Sequence, residues 1–155
     1  MPDFVHLHVH TEYSLLDGLT NIKKYVQKIK ALGMTACAIT DHGNMYGAIE
    51  FYKTCQKESI KPIIGCEVYL CPTTRFDRNI ENRRNNHLIL LAKNQQGYKN
   101  LMKIVSIAHI EGFYYKPRID WETLEKYHQG LICSSACIEG EIAKLVLENN
   151  FDKAE

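Results

Sequence analysis

With 155 residues, a formal charge of +1 and a hydrophobic fraction of 45%, the chain holds enough apolar material for one compact core. That composition excludes wholesale disorder. The balance of 19 Lys and Arg against 18 Asp and Glu also excludes a strong overall field for gripping a phosphate backbone, so nucleic-acid affinity has to come from a local patch.

The opening stretch FVHLHVHT (4–11) alternates, with Val5, Leu7 and Val9 on one side and His6, His8 and His10 on the other, and predicts a first strand. From Thr20, a candidate cap, Ile22, Tyr25, Val26, Ile29 and Leu32 recur at helical spacing, and Gly33 sits where that helix should stop. TACAIT (35–40) reads as a second strand ending at Asp41-His42-Gly43, and Ala48, Ile49, Tyr52 and Cys55 mark a second helix. IIGCEVYL (63–70) is a third strand. Residues 72–86 lack apolar periodicity and set four Arg against Asp77 and Glu81, as in an exposed, mildly basic loop. HLILLAK (87–93) is a fourth strand, and 97–110 a helix with Leu101, Met102 and Val105 inward. GFYYKPRI (112–119) allows a loop or a short extended piece. A short helix over 121–128, a strand over 130–136 and a last helix within 138–150 complete the reading. Strand and helix alternate about five times, which predicts an α/β fold with a mostly parallel sheet and ligands beyond the strand ends. The pattern stops while still repeating, which suggests part of a barrel.

The six Cys include a C-x3-C pair, Cys133 and Cys137, but no C-x2-C, and no leading run reads as a signal peptide. A reduced, cytoplasmic protein is the expectation. Apolar runs such as 88–92 fall far short of the ~20 residues needed to cross a bilayer, so no membrane partner is expected.

His8 and His10 stand two apart on the first strand, so both imidazoles project from one face and can reach one metal ion. The plainer reading is strand-surface polarity. Asp17, ahead of Gly18, is either a turn residue or a carboxylate folded back over the strand end. Glu67 lies between Cys66 and Val68; facing a dry core it must be paired, neutralised or metal-bound, and facing outward it needs none of these. His42 ends the second strand, His87 opens the fourth and Cys137 follows the fifth, and a half-buried His or a small apolar Cys is common without any ligand. Taken together, His8, His10, Asp17, His42, Glu67, His87 and Cys137 fall at strand ends. If those strands are neighbours, they line one mouth with N, O and S donors for two or more ions, a mixture better suited to Zn, Mn or Fe than to Ca. Ions ~3.5–4 Å apart can activate water and clamp a phosphoryl oxygen, and no side chain is singled out as catalytic by itself.

His6 is assigned to hydrogen bonds behind the ligands, as is Asp41, while Thr11 and Ser14 hold either the ligands or the loop. Arg83 and Arg84 are candidates for a phosphate contact, or simply part of a solvated loop. His109 and His128 fall on helical segments outside the mouth. No phosphate loop, nucleophile elbow or zinc-finger spacing occurs, and Ser134 and Ser135 have no identifiable base partner.

Five blocks, HLHVHTEYSLLDG, AITDHGNMYGAIEFY, KPIIGCEVY, NHLILLAKNQQGYKNL and GLICSSACIEGEIAKLV, occur in an order that resembles the polymerase-and-histidinol-phosphatase (PHP) domains opening bacterial replicative DNA polymerase alpha subunits. The resemblance covers almost all of the chain and implies a distorted (β/α)7, TIM-like barrel with a metal cluster at its mouth, incomplete here, so that residues 1–155 make a partial PHP domain. On that likeness His8 and His10 match the first metal motif, Asp17 the acidic position after it, and His42 the second motif. Glu67 matches the bridging carboxylate, His87 the next histidine, and Cys137 a position held by Cys or His in the family. His6 stands where the first motif often has Asp. The family's later Asp-x-His pair has no equivalent in these residues.

The resemblance implies Zn2+ or Mn2+, with Fe2+ as a further candidate, and phosphoesterase or 3′ to 5′ exonuclease chemistry. For a parent polymerase it implies DNA and deoxynucleotides as substrates, Mg2+ at a separate polymerase site, and a sliding clamp, clamp loader and proofreading subunit as partners. The alternative within the same family is a non-catalytic scaffold braced by its metals. Strand edges left without neighbours would expose apolar surface.

Overall fold

The computed structural model describes residues 4–15, 17–138 and 140–154, apart from the side chain of Asn82. Its helices α1 (Ile22–Ala31) and α2 (Ala48–Glu58) flank β1 (Ala36–Ile39), and β2 (Lys61–Leu70) follows. A single 3-10 turn, Ile80–Asn82, interrupts the connection to β3 (Asn86–Ala92). Then come α3 (Gln95–Ile110), the two-residue β4 (Arg118–Ile119), α4 (Trp121–Tyr127), β5 (Leu131–Ser135), α5 (Glu141–Leu147) and α6 (Phe151–Ala154).

The sheet runs β1-β2-β3-β5. β1 pairs parallel with the first half of β2, from Ala36 opposite Lys61 to Ile39 opposite Ile64, and β4 pairs parallel with its last two residues. β3 is antiparallel to both β2 and β5, so the sheet is mixed rather than mostly parallel. The reason lies in the connection. A parallel neighbour needs a crossover, usually a helix, whereas 71–85 supplies only the 3-10 turn and lets the chain double back.

Period-2 alternation divides the sheet's two faces. Cys66, Val68 and Leu70 of β2 and Leu88 and Leu90 of β3 pack against Leu101, Ile104 and Ala108 of α3, together with Ile119 and Leu124. The stripe on α3 is thus 101, 104 and 108, while Met102 is turned to solvent. On the other flank, Cys37 and Ile39 meet Ile22, Val26 and Ile29 of α1 and Phe51 and Cys55 of α2. The opposite face carries Ala38, Ile89 and Leu91. By alternation it also carries Glu67, Tyr69 and His87 nearer one end of the strands.

Several expectations are corrected. Residues 4–10 run beside β1, with Ala38 N donating to His6 O (2.9 Å) and Thr40 N to Val9 O (2.8 Å), but they form no regular strand and bend at His8. Leu7 is therefore exposed instead of continuing an apolar face. The cap of α1 is Asn21, whose side chain accepts from Lys24 N, not Thr20. The last helical stretch is broken into α5 and α6, with Asn149 in the left-handed region at φ 56° between them. Ile132 of the edge strand β5 is exposed, and so are Ile138, Ile142, Leu147 and Phe151 after it.

Candidate metal centre

Strand direction explains why His87 joins this site. The C-terminal ends of β1 and β2 lie together, because His42 bridges to Glu67 in parallel fashion. The reversal of β3 then places its first residues beside the last of β2, with His87 opposite Tyr69. β5, antiparallel to β3, ends on the same side and delivers Cys137.

Glu67 is the hub. Its side chain is 1% exposed, and Oε2 lies 2.5 Å from His8 Nε2 and 3.2 Å from His10 Nε2. Oε1 lies 2.5 Å from His87 Nδ1 and 3.5 Å from His42 Nδ1. The carboxylate thus faces one histidine pair with each oxygen, and His8-His10-Glu67 and His42-Glu67-His87 form two trios whose donor atoms lie within 4.8 Å of one another. His8 Nε2 and His10 Nε2 are themselves 3.1 Å apart. The ring of His10 stacks on that of His42 at 4.0 Å.

Burial alone raises the pKa of Glu67, but hydrogen bonds from His10 and His87 and the field of His42 outweigh it, so the carboxyl is held well below its usual range. His10 is raised by its hydrogen bond to Glu67, whereas burial lowers its stacked neighbour His42. A divalent cation fits this donor set. Two imidazole nitrogens at 3.1 Å cannot both present protons to each other without repulsion, and the buried Nδ1 atoms of His10 and His42 have no hydrogen-bond partner among the described residues. Lone pairs of N and O converge in excess of protons, the arrangement that borderline metals complete.

The remaining predicted residues meet the cluster at one remove or not at all. Of the two readings of Asp17, the structure has the carboxylate fold back, its Oδ2 2.9 Å from His42 Nε2, and Cys137 Sγ lies 3.8 Å from His87 Nδ1. Neither belongs to a trio among the described residues. Asp41, 1% exposed, accepts hydrogen bonds from Thr11 N (2.6 Å), Thr11 Oγ1 and Ser14 Oγ (2.8 Å), and Ser14 Oγ accepts from His42 N. It braces the turn that carries Asp17. His6 does not support the ligands: its ring packs edge-on against Phe4 at 4.8 Å, because the bend at His8 breaks the alternation that would have aligned positions 6 and 8. Arg83 and Arg84 stand exposed before β3 and do not line the cavity at the centre.

That cavity, of about 560 Å³, opens on the His42-His87 side of the centre. Its wall includes residues the sequence reading passed over, Tyr46, Tyr69, Phe113 and Lys116, and also His109. His109, expected to lie outside the mouth, bonds through Nε2 to Gly43 O at 2.8 Å. The helical position of His109 concealed this, since only tertiary packing brings the end of α3 to the turn after His42. Burial pushes the Tyr69 hydroxyl up to about 12.

The PHP domain family model matches residues 6–155. The chain belongs to the PHP domain family. Among curated relatives, it is 54% identical over 154 residues to DNA polymerase III subunit alpha of Borreliella burgdorferi, covering 98% of this chain and 13% of the relative. It is 51% identical over 160 residues to the same subunit of Aquifex aeolicus, covering 99% and 14%. The chain thus spans about an eighth of the length of the relatives it matches, in agreement with the resemblance read from the sequence blocks. An amidohydrolase structure from Chromobacterium violaceum aligns with a TM-score of 0.47 at 21% identity, covering 64% of this chain and 32% of that one.

Proposed function

We propose that this PHP domain is a metal-dependent phosphoesterase, acting as a 3′ to 5′ exonuclease within a replicative polymerase alpha subunit. The observation that carries the reading is the bridging position of Glu67, one oxygen toward His8 and His10 and the other toward His42 and His87. Bound at such a centre, Zn2+, Mn2+ or Fe2+ supplies Lewis acidity that generates a nucleophile from water and stabilises charge on a phosphoryl oxygen. In net terms, the oxygen of water joins phosphorus, the ester P–O bond breaks, and the leaving hydroxyl takes a proton.

The chain's own residues prepare that step. His8, His10 and Glu67 would hold one ion and His42, Glu67 and His87 a second, with Cys137 beside the second set. Asp17 orients His42 through Nε2 in the manner of a carboxylate behind a metal-binding histidine. Asp41 fixes the 11–14 turn so that Asp17 stays in reach. DNA, deoxynucleotides, the sliding clamp, the clamp loader and a proofreading subunit belong to the parent subunit, as does a separate Mg2+ polymerase site. Its place in the cytoplasm follows from that role; among the described residues no helix is long and apolar enough to cross a membrane.

The test is elemental analysis of the purified chain and of a His8→Ala, His10→Ala variant, beside hydrolysis of a phosphodiester. Near-stoichiometric metal lost in the variant, with hydrolysis lost while circular dichroism is unchanged, is the expected result. Bound metal without any hydrolysis, and a variant that loses only thermal stability, overturns catalysis in favour of a metal-braced scaffold.

A further inference from the structure

The wall of the 560 Å³ cavity differs in chemistry from its floor. Its volume lies within the roughly 300–1,000 Å³ of small-molecule sites and exceeds what a lone phosphate fills. The floor is the His42-His87 side of the centre, and the wall carries the aromatic rings of Tyr46, Tyr69 and Phe113 with the ammonium of Lys116. Lys116 Nζ sits 5.3 Å from the centre of the Tyr69 ring, and that ring lies 6.0 Å from His42 and 5.1 Å from His87. Among the described residues Lys116 makes no ion pair with a carboxylate. Tyr46 and Phe113 are 63% and 53% exposed, so two flat apolar faces stand in solvent beside the Lys116 ammonium.

The segment bearing Lys116 and Phe113 is built to stay there. Tyr115 takes the left-handed conformation at φ 59°, and Tyr114 N donates to Lys116 O at 3.0 Å, which closes a tight turn. Gly112 approaches Arg118 so closely that a Cβ would lie 1.9 Å from Arg118 O. Arg118, wholly buried, donates through Nε to Gly112 O and through Nη2 to the carbonyls of Arg75 and Asp77. On the other side, Pro117 presses on the turn that carries His42, where a Cβ on Gly43 would lie 2.6 Å from Pro117 Cγ. Strain at a bulky residue and a buried arginine bonded to carbonyls are costs that a loose surface loop would not keep.

We propose that Tyr46, Phe113 and Lys116 form a nucleotide subsite beside the metal centre, the rings seating a base and Lys116 a phosphate. The inference rests on the phosphoesterase reading. Flat rings next to a cation match a nucleobase linked to a phosphate, whereas a sugar phosphate would use the Asp17 carboxylate and Ser14 hydroxyl of the lining and leave the rings idle. Base stacking on such rings tolerates any sequence, which suits a site that takes one terminal nucleotide after another.

The test measures binding to the Mn2+-loaded chain by calorimetry, with thymidine 5′-monophosphate and methyl phosphate as probes and metal content measured on the same samples. The nucleotide is expected to bind at least tenfold more tightly than methyl phosphate. Tyr46→Ala and Phe113→Ala should each reduce that preference severalfold at unchanged metal content, and Lys116→Met should weaken both probes. Metal retained with no preference for the nucleotide, or a preference untouched by these variants, overturns the subsite. Absence of metal from the wild-type chain overturns the phosphoesterase reading instead. Circular dichroism of each variant separates loss of the subsite from loss of the fold, and Tyr46→Phe, which keeps the ring, should restore the preference.

Discussion

Around Glu67 four imidazoles crowd one buried carboxylate, whereas around Arg75 acceptors of opposite charge are shared out until the cation is satisfied. Arg75 Nε meets Glu111 at 2.7 Å, and its Nη1 meets Asp120 at 3.0 Å and Glu122 at 2.9 Å. Burial works against that guanidinium, but the hydrogen bonds of Glu111, Glu122 and Asp120 hold its pKa above the usual value. Asp120 is also the N-cap of α4, accepting from Thr123 N at 3.0 Å and Thr123 Oγ1 at 2.7 Å. One cluster converges lone pairs on a common point, and the other gathers three carboxylates around a cation of its own. A centre that carries its own cation holds its carboxylates in the fold; a centre of converging donors without one needs a cation to complete it.

The contrast breaks most sharply at Glu67. Glu67→Gln removes the member common to both trios, so bound metal should fall by at least tenfold while the far-ultraviolet spectrum stays native. Elemental analysis beside circular dichroism decides this, and retention of metal would show that the two histidine pairs bind without a bridge.

At the arginine cluster the same kind of change should cost stability and leave metal content untouched. Asp120→Ala removes the most buried of the three carboxylates on Arg75, whose side chain is 13% exposed, together with the cap of α4. Losing its charge-assisted hydrogen bonds and a helix cap should cost about 2–4 kcal/mol in a denaturant titration. A loss below about 1 kcal/mol would mean that Glu111 and Glu122 carry Arg75 without Asp120.

Acid sharpens the comparison further. Burial raises the carboxyl of Asp120, and the hydrogen bonds from Arg75 and Thr123 lower it by more, so its folded pKa lies below the usual value. Its contribution is therefore fully present above the unfolded pKa of ~3.9 and is lost as pH falls through the folded value. As pH falls below ~3.9, Asp120→Asn should lose less stability than wild type, measured as unfolding free energy against pH. Parallel curves would assign the acid limb to other carboxylates.

Sequence patterning located most of the cluster around Glu67 and none of the one around Arg75. The spacing of His8 and His10, the carboxylate amid apolar neighbours at 67, and the histidines at strand ends were all legible, because each breaks a local pattern. The reversal of β3 was not, since strand direction depends on long-range pairing; in an all-parallel sheet His87 would have opened its strand at the far end from Glu67. His6 failed for the converse reason, a bend at His8 that alternation does not foresee. The Arg75 cluster was hidden within a stretch that reads as solvated loop, since its partners Glu111, Asp120 and Glu122 lie more than thirty residues away in sequence.

The smallest expected effect tests how the cavity wall is tied to the centre. His109 Nε2 and Gly43 O form one bond between the end of α3 and the turn after His42, and Gly43 itself sits at φ +61° beneath Pro117. His109→Ala should cost about 0.5–1.5 kcal/mol, the net worth of one hydrogen bond, while the core stripe of Leu101, Ile104 and Ala108 keeps α3 in place. Metal content should not change, because none of the atoms in either trio is touched. A variant that loses metal along with that bond would show that the His42 turn takes its position from α3, and that the wall and the floor of the cavity move as one body.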